Sequence, residues 1–389
     1  MENKPLSGLR VLDLSEFVSG PYCTKLLASF GAEVIKTEEI AGGDVSRRFG
    51  PYPNDLPDRE KSGLFLYLNT NKKSITINRQ TKAGNDILNQ LAARADIVVA
   101  NRSPGVPHHQ FLLELNPELI ICSISYFGHT GPYREYKGCG IVAQAIGGIM
   151  RLTGLPESAP LKIAGPQAEY QAGINSAISI MGALLYRDET GRGDLIEISV
   201  LECLASILEG ALLSYEYDST LTVRDGGRHP TIYPSTILPC KEGYVHVDSS
   251  GDWDTFTRFT GIPEFGKLEP DQLREHADEI DRLLTDWLSG YTREEIFHLA
   301  QEWRLPFAEV MRLDELPDDR QMTSREFFVD NLHPEAGVFA CPGAPFRMSE
   351  YQPQTARAPL LGEHNREIYC DLLGYTVEDL VRLRGMGII

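Results

Sequence analysis

Through its first 125 residues the chain alternates short apolar runs with helical patterns, and this alternation constrains the fold more than any other feature. Residues 9–14, 32–36, 74–78, 96–100 and 119–125 read as strands. Helical stretches separate them, over 22–30, 82–94 and 110–115. Pro21 suits a first helical position and Gly31 a residue just past a helix end. Strands separated by helices imply βαβ units and a parallel sheet, with helices against it. A ligand of such a sheet binds outside the C-terminal ends of its strands.

The rest of the chain is less regular. Residues 126–170 are rich in Gly, Pro and Tyr and read as loops and short helices. A long helix follows, because Ile174, Ala177, Ile178, Met181, Leu184 and Leu185 keep a spacing of three and four. Thr190-Gly-Arg-Gly193 ends it. Ile196 and Ile198 mark another strand, and 201–217 reads as one helix. The polar, Gly-rich stretch at 222–230 is a boundary candidate. Beyond it come short strands around Cys240-Lys-Glu-Gly243, then acidic helical patterns over 271–303. Pro-rich turns and a final helix close the chain.

Composition narrows the function classes. A length of 389 residues corresponds to two or three domains. The formal net charge is −18, from 37 basic and 55 acidic residues, a field that repels nucleic acid and anionic membranes. An anionic ligand then needs a local cationic pocket. The seven cysteines form no C-x-x-C pair, so neither a disulfide framework nor a zinc site is expected. The adjacent His108 and His109 have no carboxylate or cysteine at metal spacing and read as loop residues. No apolar leader is visible, and the longest weakly polar run, 177–186, is too short to span a bilayer. A cytoplasmic protein is the expectation. The dinucleotide G-x-G-x-x-G, the P-loop, H-E-x-x-H and G-x-S-x-G are all absent.

Five separated segments, in order along nearly the whole chain, resemble the family III CoA-transferases (the formyl-CoA and carnitine CoA-transferase type). They are Pro5-Leu-Ser-Gly-Leu-Arg-Val-Leu-Asp-Leu14 with Ser19-Gly-Pro21 and Gly31-Ala-Glu-Val-Ile-Lys36; Leu68-Asn-Thr-Asn-Lys-Lys-Ser-Ile-Thr-Ile77; Tyr126-Phe-Gly-His-Thr-Gly-Pro132 with 144–154; Ala183-Leu-Leu-Tyr-Arg187 through Thr190–Gly193 to Leu201-Glu202; and Pro359-Leu-Leu-Gly-Glu-His364. The resemblance implies an α/β fold. A large Rossmann-like domain with a parallel sheet is built from both chain ends (1–224 and 326–389), and a smaller α+β domain is inserted (225–325). It implies an interlocked dimer, either a homodimer or a heterodimer with a homologous chain. The implied reaction moves coenzyme A between an acyl-CoA and a free carboxylic acid, with CoA as substrate, no permanently bound cofactor and no metal. In the family an aspartate attacks the thioester and passes through a mixed anhydride to an enzyme–CoA thioester. A carboxylate suits this role because it is already ionised at neutral pH.

Several positions depart from the family pattern. The aspartate stands four residues before a glycine, and here Gly165-Pro-Gln-Ala-Glu-Tyr-Gln-Ala-Gly173 places Glu169 there. Taken without the resemblance, Glu169 is a carboxylate well placed for charge in a first helical turn. The usual Glu-Asn-Phe-Arg-Pro-Gly is Ala100-Asn-Arg-Ser-Pro-Gly105, Gly138-Cys-Gly140 replaces an aspartate or a His-Asp pair, and the glycine-rich lid shrinks to Gly226-Gly-Arg-His229. The loss at 138–140 argues against a racemase, which needs an acid and a base on opposite faces of a carbon. Two readings follow: a transferase using Glu169, or a non-catalytic partner subunit of a heteromeric, benzylsuccinate-type enzyme whose other chain carries the aspartate. A CoA-thioester binding protein is a third. For CoA itself, Lys36, Arg47, Lys72 and Arg102 near strand ends, Gly20 before a helix and the Asn69 segment form the expected phosphate-binding patch, although each basic residue alone reads as surface charge. Asn101, Tyr136 and Lys137 fall where family members contact CoA. Phe17, Tyr126 and Tyr170 are aromatic candidates for a pocket wall, or else core.

Overall fold

The computed structural model describes residues 4–101, 109–229 and 232–389. The chain divides into two compact units. The first comprises 1–149, 162–212 and 323–389, and the second 150–161 and 213–322. Residues 150–161 and 213–224, assigned from sequence to the large domain, fall in the second unit, and 323–325 fall in the first.

The first unit is built on six parallel strands. These are β1 (Arg10–Asp13), β2 (Glu33–Glu38), β3 (Lys72–Thr76), β4 (Ile97–Ala100), β5 (Ile120–Ser125) and β6 (Leu195–Ser199), in the order β3-β2-β1-β4-β5-β6. The order reverses between β1 and β4, which makes the crevice there the topological switch point of an open α/β sheet. Val11, Val34, Val99, Ile120 and Ile124 face the Ser19–Ser29 and Gln167–Thr190 helices, through Cys23, Leu27, Ala172 and Ile180. The opposite face carries Leu12, Ile35, Ile75, Val98 and Ile121, covered by the Lys82–Ala92 helix and by Ile368, Tyr369, Leu380 and Ile389. Strand residues buried on both sides explain why these runs are continuously apolar rather than alternating. The two chain ends meet in this unit, as expected. His364 N–H donates to Ser74 O, Tyr369 hydroxyl to Thr76 O, and Asn78 N–H to Ile388 O.

The sequence stripe on the long helix splits in two. Ala177, Ile180 and Leu184 are buried, but Ile174, Ile178, Met181 and Leu185 are exposed, Leu185 by 69%. A helix apolar on two faces needs cover on both. The helix expected over 201–217 is broken into Val200–Ala205 and Glu209–Asp218. At the break the Ser206 hydroxyl donates to Cys203 O, a local bond that competes with helix continuation.

The second unit pairs Ser235–Pro239, Tyr244–Asp248 and Ala308–Glu309 in an antiparallel sheet. Its core of Val245, Val247, Phe256, Phe265, Leu284, Ile296 and Phe307 is separate from that of the first unit. Arg228, in the shortened glycine stretch, is tied to Asp281 and Asp278 of the Ala277–Leu288 helix. Among the described residues no helix is long and apolar enough to cross a membrane.

Candidate active site

A cavity of about 670 Å³ opens in the first unit at the switch point. That volume lies in the range of small-molecule sites. Its walls come from the segments that follow strands: Glu16, Phe17 and Ser19 after β1, Asn101 after β4, Tyr126 and Phe127 after β5, and Val200 after β6. Residues 134–138 form another side, and Glu169 projects from the first turn of the Gln167–Thr190 helix.

That helix reaches the cavity because Gly173 lets it approach the Ser19–Ser29 helix. A Cβ on Gly173 would stand 2.7 Å from Ser19 O. Four residues earlier Glu169 is 4% exposed. Its Oε1 accepts from the Tyr126 hydroxyl at 2.9 Å, whereas its Oε2 is buried with no hydrogen-bond partner. An unsatisfied buried carboxylate oxygen costs about 1–3 kcal/mol or more, so the fold holds this group in a state short of partners. Burial raises the Tyr126 phenol well above its ordinary range, and the adjacent Glu169 charge raises it further. Tyr126 therefore stays a donor. The carboxylate lies directly against Gly140, where a Cβ would meet both Glu169 oxygens at 2.6 Å. Gly140 thus leaves the space that the Glu169 carboxylate fills, whereas a Cβ at Gly138 would meet the Tyr126 side chain.

Among the described residues, the cations of the expected phosphate patch do not form a surface. Lys36 and Lys72 have fully buried side chains. Lys36 Nζ lies 2.7 Å from Asp44 and donates to Ser15 O at 2.9 Å. Lys72 Nζ donates to Asp13 (3.1 Å), Pro21 O (2.8 Å) and Asn69 Oδ1 (2.9 Å). Asn69 is thereby spent on Lys72 and on Phe65 O. Arg47 grips Glu38 through two nitrogens at 2.6 and 2.9 Å, reaches Glu60 at 2.7 Å and stacks on Phe65. All three cations are neutralised inside the fold, so they cannot also meet a phosphate. Gly20 is likewise structural, since a Cβ there would collide with the Ser15 side chain.

These groups form one network centred on Asp13, at the end of β1. Burial pushes the Asp13 carboxyl up, but Lys36, Lys72 and the hydroxyls of Ser15 and Thr24 outweigh it and hold it well below the ordinary carboxylate range. For Lys72 burial wins over Asp13, and the ammonium is pushed down to about 8. For Lys36 burial is outweighed by Asp13 and Asp44, and its value rises.

Of the remaining candidates, Asn101, Tyr136 and Lys137 line the cavity, the last two exposed at its edge. Asn101 uses its amide on the Glu16 backbone and the Ser19 hydroxyl. Arg102, like His108, lies outside the described residues. Phe17 and Tyr126 are wall residues, but Tyr170 packs edge-on to Tyr22 and does not line the cavity. Sequence reasoning missed Arg134, an exposed cation on the same wall as Lys137, and the part played by Gly140. The run Arg134-Glu-Tyr-Lys137, basic and aromatic in an acidic chain, was the available signal for the first.

Comparison with known proteins identifies the family. The family model described as CoA-transferase family III matches residues 6–365. The succinyl-CoA–D-citramalate CoA-transferase of Chloroflexus aurantiacus is 32% identical over 99% of this chain and 98% of its own. The formyl-CoA:oxalate CoA-transferase of Streptomyces avermitilis is 31% identical over 99% of this chain and all of its own. A CaiB/BaiF family protein from Brucella suis, 30% identical, superposes with a TM-score of 0.84 over 95% of this chain and all of that one. The chain belongs to the family III CoA-transferases.

Proposed function

We propose that this chain is itself a catalytic CoA-transferase and that Glu169 is its nucleophile. The observation that carries this reading is the carboxylate at the switch-point cavity, with one oxygen anchored by Tyr126 and the other buried without a partner. The free Oε2 attacks the thioester carbonyl of an acyl-CoA, giving a mixed anhydride and CoA thiolate. The thiolate then attacks the Glu169 carbonyl, releasing the first acid and leaving CoA on Glu169 as a thioester. The acceptor carboxylate reverses both steps and takes CoA away, so no ATP, metal or net redox change is required. Tyr126, kept protonated, orients the carboxylate for its attack and donates to Oε1, the oxygen that gains charge when the CoA thiolate then attacks the Glu169 carbonyl.

Arg134 and Lys137, with Tyr136 beside them, are the cations we assign to the CoA phosphates, since Lys36, Arg47 and Lys72 are consumed internally. The relatives act on succinyl-CoA with D-citramalate and on formyl-CoA with oxalate, so dicarboxylic acids are the first acceptors to assay. We also propose that a second copy of the chain covers the exposed Ile174–Leu185 stripe, in the interlocked dimer that the family resemblance implies. Ordinary monomers rarely leave a contiguous apolar strip of that kind in water.

The test is covalent trapping. After incubation with succinyl-CoA, borohydride should leave its mass change on the peptide that contains Glu169. Glu169→Gln should abolish both the adduct and the exchange. If exchange by a purified complex survives Glu169→Gln, and the adduct sits on a homologous partner chain, the supporting-subunit reading replaces this one.

A further inference from the structure

Phe17 lines the cavity with a backbone φ of +68°, in the left-handed region that bulky residues avoid. Such a conformation persists only where the surroundings over-determine it. Here every residue from Leu14 to Phe17 is tied by a side chain from elsewhere. Leu14 O accepts from Arg79, and Ser15 O from Lys36. The Glu16 N–H and carbonyl are both bound by Asn101, at 2.8 and 2.6 Å. The Phe17 N–H donates to Asp44 at 3.1 Å, and Asp44 is fixed in turn by Lys36. Of the charges that the sequence offered as phosphate ligands, Lys36 reaches this segment, directly at Ser15 O and through Asp44 at Phe17. The cavity has a charged side and an apolar one: Arg134 and Lys137 stand on one wall with Glu135, which pairs with Arg134 at 3.4 Å, and Phe17, Val45, Ile124 and Val200 contribute apolar lining, with Glu16 beside Phe17.

We propose that Phe17 is the wall residue that sets which acyl groups fit beside Glu169, and that Asp44, Lys36 and Asn101 are its positioning residues. This rests on the transferase reading above. The charged edge suits the phosphates of CoA, which leaves the apolar wall to the acyl chain. The backbone that carries the ring is fixed by four separate side chains, and the ring leans on Phe49 with centroids 5.2 Å apart, so the wall yields less to a larger acyl group than a loop held by none would.

The experiment uses the full-length chain with CoA, acetyl-CoA and benzoyl-CoA, measuring affinities by calorimetry and kcat/KM by exchange. Phe17→Gly removes the ring and adopts the same φ freely. It should raise the benzoyl-to-acetyl preference about tenfold or more, in both binding and kcat/KM, the scale of discrimination an apolar pocket provides. Affinity for CoA itself should not change. Asp44→Ala should shift the preference in the same direction, and Asp44→Asn, which keeps an acceptor oxygen, should restore most of it. If Asp44→Ala does not fold, Phe17→Gly decides alone. An unchanged preference in Phe17→Gly, or a loss of CoA affinity equal to that for the acyl-CoAs, overturns the proposal. A wild-type chain that binds acyl-CoA without exchanging it sinks the catalytic reading only, because the affinity ratios still decide the role of Phe17. A wild-type chain that binds no CoA compound overturns both.

Discussion

Gly140→Ala is the substitution that most directly tests the fit of Glu169. The added methyl would stand 2.6 Å from both carboxylate oxygens and 2.9 Å from the carboxyl carbon, where ordinary contact begins at 3.4 Å. The carboxylate must therefore retreat by about 0.8 Å. A misplacement near 1 Å at a reacting centre costs on the order of a hundredfold in rate, or about 2.7 kcal/mol of barrier. Gly140 opens the Gly140–Ile146 helix and is not among the positive-φ glycines, so alanine is favoured there by roughly 1 kcal/mol of helix propensity. Folding should survive while kcat for exchange between succinyl-CoA and a free dicarboxylate, followed by chromatography of the CoA esters, falls by about that hundredfold. KM for succinyl-CoA should barely move. Glu169→Asp withdraws the carboxylate by about one C–C bond, ~1.5 Å, and should also be slow. The double variant Gly140→Ala/Glu169→Asp should regain most of the loss, because the shorter acid leaves room for the methyl. Wild-type kcat in Gly140→Ala, or a double variant no faster than the product of the two single defects, would refute the reasoning.

Three further outcomes follow from the same contacts. Lys36→Met strands Asp44 in the core and should cost on the order of 3–5 kcal/mol in urea unfolding; a variant of native stability with only weakened CoA binding would reinstate Lys36 as a phosphate ligand. Asp13 has a folded-state pKa below its unfolded value, so its stabilisation is complete above the ordinary carboxylate range and is lost as pH falls through the folded value. The stability gap between wild type and Asp13→Asn, measured from pH 7 down to pH 3, should therefore narrow on the acid side, and a gap that widens contradicts the assignment. Ile178→Glu combined with Leu185→Glu should give a folded monomer by light scattering, whereas retention of the wild-type mass would show that the stripe is not the contact.

The sheet was legible because parallel strands buried on both faces write themselves as apolar runs; β4, for example, is Ile97-Val-Val-Ala100, buried throughout, and lies within one residue of its expected ends. The long helix was legible by its period, but not the side that it buries. Both of its stripes are apolar, and periodicity alone does not say which of them meets the sheet. Glu169 was singled out as a candidate through the order of motifs and not through its chemistry, since a glutamate in a first helical turn is common for reasons of charge. The basic residues were misread for a physical reason. A lysine near a strand end looks the same in sequence whether it points to solvent or to a carboxylate on the neighbouring strand. Asp13 and Lys36 are register partners across β1 and β2, a fact that only the paired sheet supplies.

That register pair also explains why the misreading and the site are connected. Asp13 closes β1 just before the segment that forms the cavity wall, and a buried carboxylate there requires buried cations. Lys36 and Lys72 come from the two strands beyond it and meet that need. Lys36 then has a second face, which it spends on Ser15 O and Asp44, and Asp44 passes the constraint to Phe17. The same ammonium therefore stabilises the sheet end and holds the cavity wall at Phe17. Loss of Lys36 should appear in both stability and acyl selection, whereas loss of the Phe17 ring should appear in selection alone. A phosphate ligand would show neither pattern, because its removal lowers affinity for every CoA ester by the same factor, with a salt dependence that a buried ion pair lacks.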